Sequence, residues 1–468
     1  MQRIHEFVTV FFRKIIRAVL RLFPIVFAYT MKRKLVLLSD SIDSGALTIL
    51  AFDPDRWTQD LLALGKVAHI RIYAVPFPVS TRIHALFFES GASPKNDSYF
   101  TEADPRILAA RERQARYASR VLVYLRRWMS IECAVNPAIH YLIDFPWAKG
   151  GSRAEVPFIT VHKEFTVIDD RHLPVKINRW RNLYQFKFPG EYLCVTNEKA
   201  RRFFVESNVL PFEKISPTGL LRFDNLLQTP PSTPSSNPVT ITFFSFGHLS
   251  GPFESKSELS GHYFTRNEDD GFVQLFNDTH AAFADAARRN PDALFLIKPK
   301  NVETWWIEKI ERVVKRELGV PLSAIPNCRI VNEQAHDLIR RSTACIGLNS
   351  TVSLESIALD RDFIMPVFAE AAGKYAGNVY FPHYRDVFSV PASRAEYAGM
   401  LTRAIRGERL KKPAANRVKA MLEEYVGNSD GHAAERVAKV LFDVARNRTP
   451  VPMPLFEGLV CGHDGATA

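Results

Sequence analysis

Residues 229–238 read Thr-Pro-Pro-Ser-Thr-Pro-Ser-Ser-Asn-Pro, and they constrain the fold more than any other stretch of the chain. Four prolines and no large apolar side chain leave neither a helix nor a buried strand possible there. The segment is therefore a linker, and a chain of 468 residues has room for a domain on each side of it. On both sides, short apolar runs alternate with amphipathic stretches. Before the linker, 34–38, 67–75, 139–144, 157–161 and 192–196 read as strands. A turn is expected at 40–45, and helices at 103–130 and 197–207. After it, strands are expected at 240–246, 293–297, 328–331, 344–348 and 363–368. The helices expected there are 272–289, 301–317, 334–341, 351–359, 394–406 and 413–446. Strands alternating with helices imply a parallel sheet covered on both faces. The expected fold class is α/β, with two Rossmann-like domains facing across a cleft.

The charge is local. The chain carries +11, but residues 1–34 hold eight Lys or Arg against Glu6 alone, so this segment accounts for +7. Only +4 remains for the other 434 residues, which argues against a nucleic-acid surface. Within residues 7–29, Arg13, Lys14, Arg17 and Arg21 interrupt an apolar run, and the spacing 13, 17, 21 aligns three cations on one helical face. Four cations near the middle disfavour a spanning helix. The pattern suits an amphipathic basic helix on anionic headgroups, with a helix packed on the protein's own surface as the other reading. No small-residue cleavage site follows it. Five Cys lie far apart, at 133, 194, 328, 345 and 461, with no metal-ligand spacing, and fit a reducing compartment.

The richest constellation lies after the linker. The apolar run 344–348 ends in Asn349-Ser350-Thr351 and a helix that carries Glu355. Unpaired backbone N–H groups and small hydroxyl residues at such a turn can hold a phosphate, while Glu355 can accept from sugar or ribose hydroxyls. Taken alone, Asn349 or Ser350 serves equally as a helix cap. The strand 293–297 runs into Lys298-Pro299-Lys300, two cations able to neutralise a diphosphate, or else a solvated strand end. Ser245-Phe246-Gly247-His248 also follows a strand. Gly247 would let backbone approach a ligand and His248 could face the cleft, with a plain turn the alternative.

In the order strand–Ile297-Lys298-Pro299, strand–Gly347-Leu348-Asn349-Ser350-Thr351-Val352-x-x-Glu355, then Pro366-Val367, the chain resembles the C-terminal domain of GT-B glycosyltransferases. It is most similar to the group that builds bacterial surface polysaccharides, including Kdo and sialic acid transferases and the teichoic-acid glycerophosphotransferases. The resemblance covers about 240–450. It extends more loosely to Val195-Thr196-Asn197 and to Pro217–Asp224. Two departures stand out. Lys298-Pro299-Lys300-Asn301 replaces the Lys-Pro-His-Pro of many relatives, and Asp360-Arg361-Asp362-Phe363 replaces a Gly-Lys-Pro.

The residue pattern places a basic membrane-surface helix over 1–33, the linker over 229–238 and a tail over 447–468, and the resemblance implies an acceptor domain over 34–228 and a donor domain over 239–446. It implies transfer of a sugar from a nucleotide-linked donor to a glycan or lipid-linked acceptor, by a cytoplasmic protein peripheral to the inner membrane. No cofactor and no metal are expected. Phosphopolyol transfer from a CDP-linked donor, a GT-B type epimerase and a non-catalytic protein with a degenerate donor site are the competing readings. Inverting transfer needs a base from the facing domain. Glu164, after the strand 157–161, is the first candidate and His162 the second, against a surface loop with an internal ion pair; Asp144 is a weaker one. Asp53-Pro54-Asp55 matches a metal-binding Asp-x-Asp, but reads better as a helix start.

Overall fold

The computed structural model describes residues 18–41, 43, 45–67, 69–88, 103–139, 141–164, 170, 173–228, 238–251, 270–300 and 304–446. Residues 1–17 of the basic segment, 229–237 of the linker, 301–303 and the tail 447–468 lie outside the described residues.

Two sheets organise the chain. The N-terminal sheet has seven strands: β1 (Val36–Ser39), β2 (Leu47–Phe52), β3 (Ile70–Val75), β4 (Cys133–Asn136), β5 (Phe158–Val161), β6 (Tyr192–Val195) and β7 (Ile215–Pro217). Their order is β1-β3-β2-β4-β5-β6-β7, parallel throughout except that β1 runs antiparallel along β3. The C-terminal sheet has five parallel strands, β8 (Thr240–Ser245), β9 (Leu294–Pro299), β10 (Cys328–Ile330), β11 (Ala344–Gly347) and β12 (Asp362–Ile364), in the order β10-β9-β8-β11-β12. Every residue of β2, β4, β5, β6, β8 and β11 is buried, as helices on both faces of a parallel sheet require. These are the two Rossmann-like domains that the alternating pattern predicts, joined in the GT-B manner.

Three expectations are corrected. The run 34–38 is not a first buried strand: β1 is an edge strand with Val36 and Leu37 49% and 46% exposed. The first buried strand is β2, for which the sequence reading has no element. The strand expected at 139–144 lies earlier, as β4, because Pro137 has no N–H to extend the ladder; Leu142–Asp144 is a single 3₁₀ turn. The long helix expected over 413–446 is two helices, Ala415–Val426 and Ala433–Ala445. Gly427, at φ +60°, closes the first, and a Cβ there would collide with the Thr196 carbonyl.

The last helix also moves a domain boundary. Its apolar face, Val437, Ala438, Leu441 and Val444, packs with Leu47, Ile49, Leu61 and Ile72 of the N-terminal domain. Burying Val437 and Leu441 there contributes about 1.5–3 kcal/mol each. Residues 433–445 therefore belong to the first domain, although they follow the second in sequence. Asp224 fixes the crossing: its carboxylate accepts from the N–H groups of Ala433 (3.0 Å) and Ala434 (2.7 Å) and from Asn428 Nδ2 (2.6 Å).

At the N-terminus, the helix Pro24–Lys32 buries Phe27, Ala28 and Met31, with Phe27 edge-on to Tyr117 at 5.8 Å between ring centroids. Its other face leaves Phe23, Ile25, Val26 and Tyr29 exposed, as are Leu22 before it and Trp128. Arg21, Lys32, Arg33 and Lys34 are exposed along the same segment. Among the described residues no helix is long and apolar enough to cross a membrane.

Candidate functional site

In the C-terminal sheet, β8 sits between β9 and β11, so the chain leaves β8 to one side and β11 to the other. Their carboxyl ends flank the crevice where doubly wound sheets take ligands. Both the 245–248 loop and the 349–351 turn border that crevice. Register sets Lys298 and Gly347 on either side of Phe244, about 10 Å apart across two strand spacings. Lys298 is half-buried, and burial lowers its pKa against the opposing pull of Glu333. Lys300 is exposed just beyond the strand.

Several predicted ligand groups turn out to hold the loops instead. Asn349, at φ +51°, donates through Nδ2 to the carbonyls of Ser250 (2.8 Å) and Asn378 (2.9 Å) and accepts from the Tyr380 N–H (2.7 Å). Its amide is used up in tying three segments together. Ser245 lies in a buried relay: Trp306 Nε1 donates to its Oγ (3.0 Å), which lies 2.9 Å from His280 Nε2. His280 Nδ1 is 2.7 Å from the Phe276 carbonyl, and burial pushes the ring down to about 3, so it is neutral and donates from Nδ1. His248 is 1% exposed, with Nδ1 3.4 Å from Lys309 Nζ, and faces the core rather than the cleft. Gly247 is buried beside it, its carbonyl accepting from the Ser250 N–H. Ser350 and Thr351 remain half-buried at the crevice, with Ser350 Oγ accepting from the Val352 N–H at 3.3 Å.

Glu355 is corrected most sharply. It is 4% exposed and both oxygens are engaged: Arg222 Nε donates to Oε1 at 3.0 Å, and His336 Nε2 lies 3.3 Å from Oε2. Burial alone would raise its pKa, but Arg222 and His336 outweigh burial and hold it below the usual carboxylate value. It is an ion-pair partner here, not an open acceptor for ribose.

Arg222, which the sequence reading passes over, is the hub between the domains. Its backbone N–H donates to Asp60 Oδ1 (3.0 Å), and its guanidinium lies 3.8 Å from Asp60 Oδ2 and 3.4 Å from Thr351 Oγ1. Burial disfavours its charge, but Glu355, Asp60 and Glu164 together raise its pKa. Asp60 follows β2, Glu164 follows β5, and Thr351 and Glu355 follow β11. The carboxyl ends of the two sheets thus converge on one guanidinium. Beside it, a groove of about 520 Å³ opens between the domains, lined by Gln59, Lys66, Asn225, His336 and Arg340.

In the N-terminal sheet the corresponding crevice lies between β2 and β4. Asp53 caps β2 in the left-handed region, at φ +51°, and is 1% exposed. Among the described residues neither carboxylate oxygen has a hydrogen-bond partner. Asp144 is also 1% exposed; its Oδ2 accepts from Asn136 Nδ2 (2.8 Å), while Oδ1 has no partner among the described residues. Thr160 Oγ1 donates to Asn136 Oδ1 (2.6 Å), which aims the amide NH₂ at Asp144. Burial raises the pKa of both acids, and Asp53 raises that of Asp144 further, against the pull of Arg56. The Arg56 guanidinium stacks on Tyr141, 4.5 Å from its ring centroid. Tyr141 Oη in turn donates to Glu164 Oε1 at 3.4 Å. Burial, with Glu164 adding to it, pushes the Tyr141 hydroxyl up to about 12.

Glu164 is half-buried at the cleft. Lys163 reaches back to the Arg56 carbonyl, and burial lowers its pKa. His162 is a core residue: 2% exposed, it receives the Ile139 N–H at Nδ1 (3.3 Å) and sits edge-on to Phe204. Among the described residues no three His, Cys, Asp or Glu side chains gather as a metal set.

No family model and no curated protein matches the chain. Solved structures do. A UDP-GlcNAc 2-epimerase from Neisseria meningitidis bound to UDP-GlcNAc is 11% identical, over 85% of this chain and 100% of that one, with a TM-score of 0.44. A putative UDP-N-acetylglucosamine 2-epimerase from Listeria monocytogenes is 9% identical over 87% and 99%, with a TM-score of 0.47. A glycosyltransferase from Rickettsia africae is 11% identical over 86% and 100%, with a TM-score of 0.45. At this distance the likeness says nothing of substrate, and the strand orders themselves define the architecture.

Proposed function

We propose that the chain is a metal-independent GT-B glycosyltransferase. It moves a sugar from a nucleotide-activated donor to a surface polysaccharide or lipid-linked acceptor at the cytoplasmic face of the membrane. The observation that carries this reading is the convergence of two switch-point crevices on Arg222, one from each sheet. Two facing crevices suit a reaction with two substrates, each held by its own domain. On the donor side, Ser350, Thr351, Lys298 and Lys300 take the phosphates. On the acceptor side, Glu164 at the cleft is the candidate base.

The N-terminal face supports the membrane part. Leu22, Phe23, Ile25, Val26 and Tyr29 are exposed beside four cations, the composition of a surface that enters an anionic interface. Deleting residues 1–34 would also strip Phe27, Ala28 and Met31 from the core, so the cleaner test is the full chain carrying Phe23→Glu with Val26→Glu. That variant loses binding to anionic vesicles at unchanged melting temperature; equal binding rejects the membrane role.

Donor binding is tested by melting the protein with CMP, CDP, UDP and GDP in turn. A ligand that binds the native state raises the midpoint. Stabilisation by one nucleotide, lost in Ser350→Ala with Thr351→Ala, supports the reading, and no response to any of the four rejects it. Glu164→Gln keeps nucleotide binding and abolishes turnover; retained turnover removes Glu164 as the base.

A further inference from the structure

The groove beside the Arg222 hub has a charge pattern that the transferase reading leaves unused. Lys66, just past the helix Thr58–Leu64, reaches it from the N-terminal domain, and Arg340, in the last turn of the helix Ala335–Arg341, from the C-terminal domain. Both cations end on one residue: Lys66 Nζ donates to Asn225 Oδ1, and Arg340 Nη2 donates to the Asn225 carbonyl at 3.4 Å. Among the described residues neither makes an ion pair with a carboxylate. Elsewhere Arg71, Arg126, Arg153 and Arg417 are each matched, by Asp40, Glu155, Glu112 and Asp386. Two cations drawn together on a neutral amide repel each other, and an anion between them would turn that repulsion into attraction.

The two positions are held from behind. Ser39 Oγ donates to the Gly65 carbonyl at 2.9 Å, and a Cβ on Gly65 would come within 2.9 Å of Ser39 Cβ, so the backbone leading to Lys66 packs tightly on β1. Arg361 Nη2 donates to the Arg340 carbonyl at 3.1 Å and fixes the end of that helix. Lys66 is exposed and Arg340 half-buried, so both can be reached from solvent. At about 520 Å³ the groove is in the range that takes whole small molecules, with room beyond a phosphate group. Gln59 and the exposed Asp337 line more of it and suit hydroxyl groups, Gln59 as donor and acceptor and Asp337 as acceptor.

We propose that this groove binds a phosphate monoester with a hydroxyl-bearing body, its phosphate between Lys66 and Arg340, and that the bound ester ties the two domains together. The site stands apart from the donor crevice and does not depend on the transferase reading. Contacts run from Thr351 to Arg222 (3.4 Å), from Arg222 to Glu355 (3.0 Å) and from Glu355 to His336 (3.3 Å). Of these four only His336 lines the groove, so a buried ion pair separates it from the donor turn. Among the described lining residues Asp337 is the one acid, against two cations, so the groove favours an anion.

The test is isothermal titration of the full chain with ribose 5-phosphate, mannose 6-phosphate and glycerol 3-phosphate, with inorganic phosphate and ribose as controls. At least one ester binds, more tightly than inorganic phosphate, and ribose does not. Lys66→Met and Arg340→Met each weaken the ester tenfold or more, since each removes a charge-assisted bond from a different domain. Lys66→Arg and Arg340→Lys, which keep the charge, retain most of the binding. Ser350→Ala with Thr351→Ala leaves it unchanged. The proposal is overturned if no ester binds, if inorganic phosphate binds as tightly as every ester, or if both methionine variants bind as wild type does. Loss in only one of those two overturns the bridge between domains. Loss of the ester in the Ser350 and Thr351 variant overturns the site by placing the phosphate in the donor crevice. A chain that gives no nucleotide response yet binds an ester through Lys66 and Arg340 loses the transferase reading and keeps this site.

Discussion

The two switch points use the same topology in opposite ways. In the C-terminal sheet, Asn349, Ser245 and Glu355 have their polar atoms committed to other parts of the protein. In the N-terminal sheet, Asp53 and Asp144 hold oxygens that no donor among the described residues reaches. One crevice is stiffened by its hydrogen bonds, and the other carries an electrostatic cost. The position of a residue at a strand end therefore does not decide its role; the saturation of its polar atoms does.

That contrast can be broken at its strongest point first. Arg222→Met removes the cation from Glu355 and Asp60, both buried, and should cost about 3–5 kcal/mol in denaturant unfolding. Adding Glu355→Gln should restore a large part of it. Asn349→Ala removes three hydrogen bonds at a left-handed position and should cost about 3 kcal/mol by the same measurement. Burial disfavours the Asp144 carboxylate, so Asp144→Asn should instead stabilise, by about 0.5–2 kcal/mol.

The pH dependence sharpens the same comparison, because the two regions slope in opposite directions. Asp53 and Asp144 have raised native pKa values, so the folded chain holds protons that the unfolded chain has lost. Their contribution to stability is full below about pH 4 and declines as the pH rises through the native values. Glu355 has a lowered pKa, so its contribution is full above about pH 4.3 and is lost as the pH falls through the native value. In Asp144→Asn the decline above pH 4 should flatten while the acid limb stays, as read from urea midpoints across pH. A small effect, about 0.5–1 kcal/mol, is expected at Ser350→Ala with Thr351→Ala, which lose the bonds to the Val352 N–H and to Arg222. Its larger consequence should be the lost nucleotide response.

Much of the fold is legible in the sequence because β5, β6, β8, β9 and β11 are short apolar runs bounded by turns and followed by amphipathic helices. The exceptions have physical causes. The run at 46–52 is apolar but for Thr48, so its periodicity separates strand from helix poorly, and without β2 the significance of Asp53 is hidden. The β4 strand is only four residues long, and the apolar residues after Pro137 imitate a better one. The last helix is amphipathic, but an apolar face does not say which sheet it covers. At the site, the strand ends were readable and the side-chain commitments were not. Whether Asn349 faces a ligand or Ser250 depends on a loop a hundred residues away in sequence, and no local pattern records it.

The returning helix Ala433–Ala445 has one more effect. The polypeptide passes between the two domains twice, once through 229–238 and once between Val426 and Ala433, where Asp224, Asn428 and Gly427 pin the second passage. A body attached at one point can swivel in any direction, whereas one attached at two points turns about the line that joins them. Two covalent crossings leave fewer relative rotations open to the domains than one would, and Arg222, bonded to Asp60 and Glu355, spans the same junction.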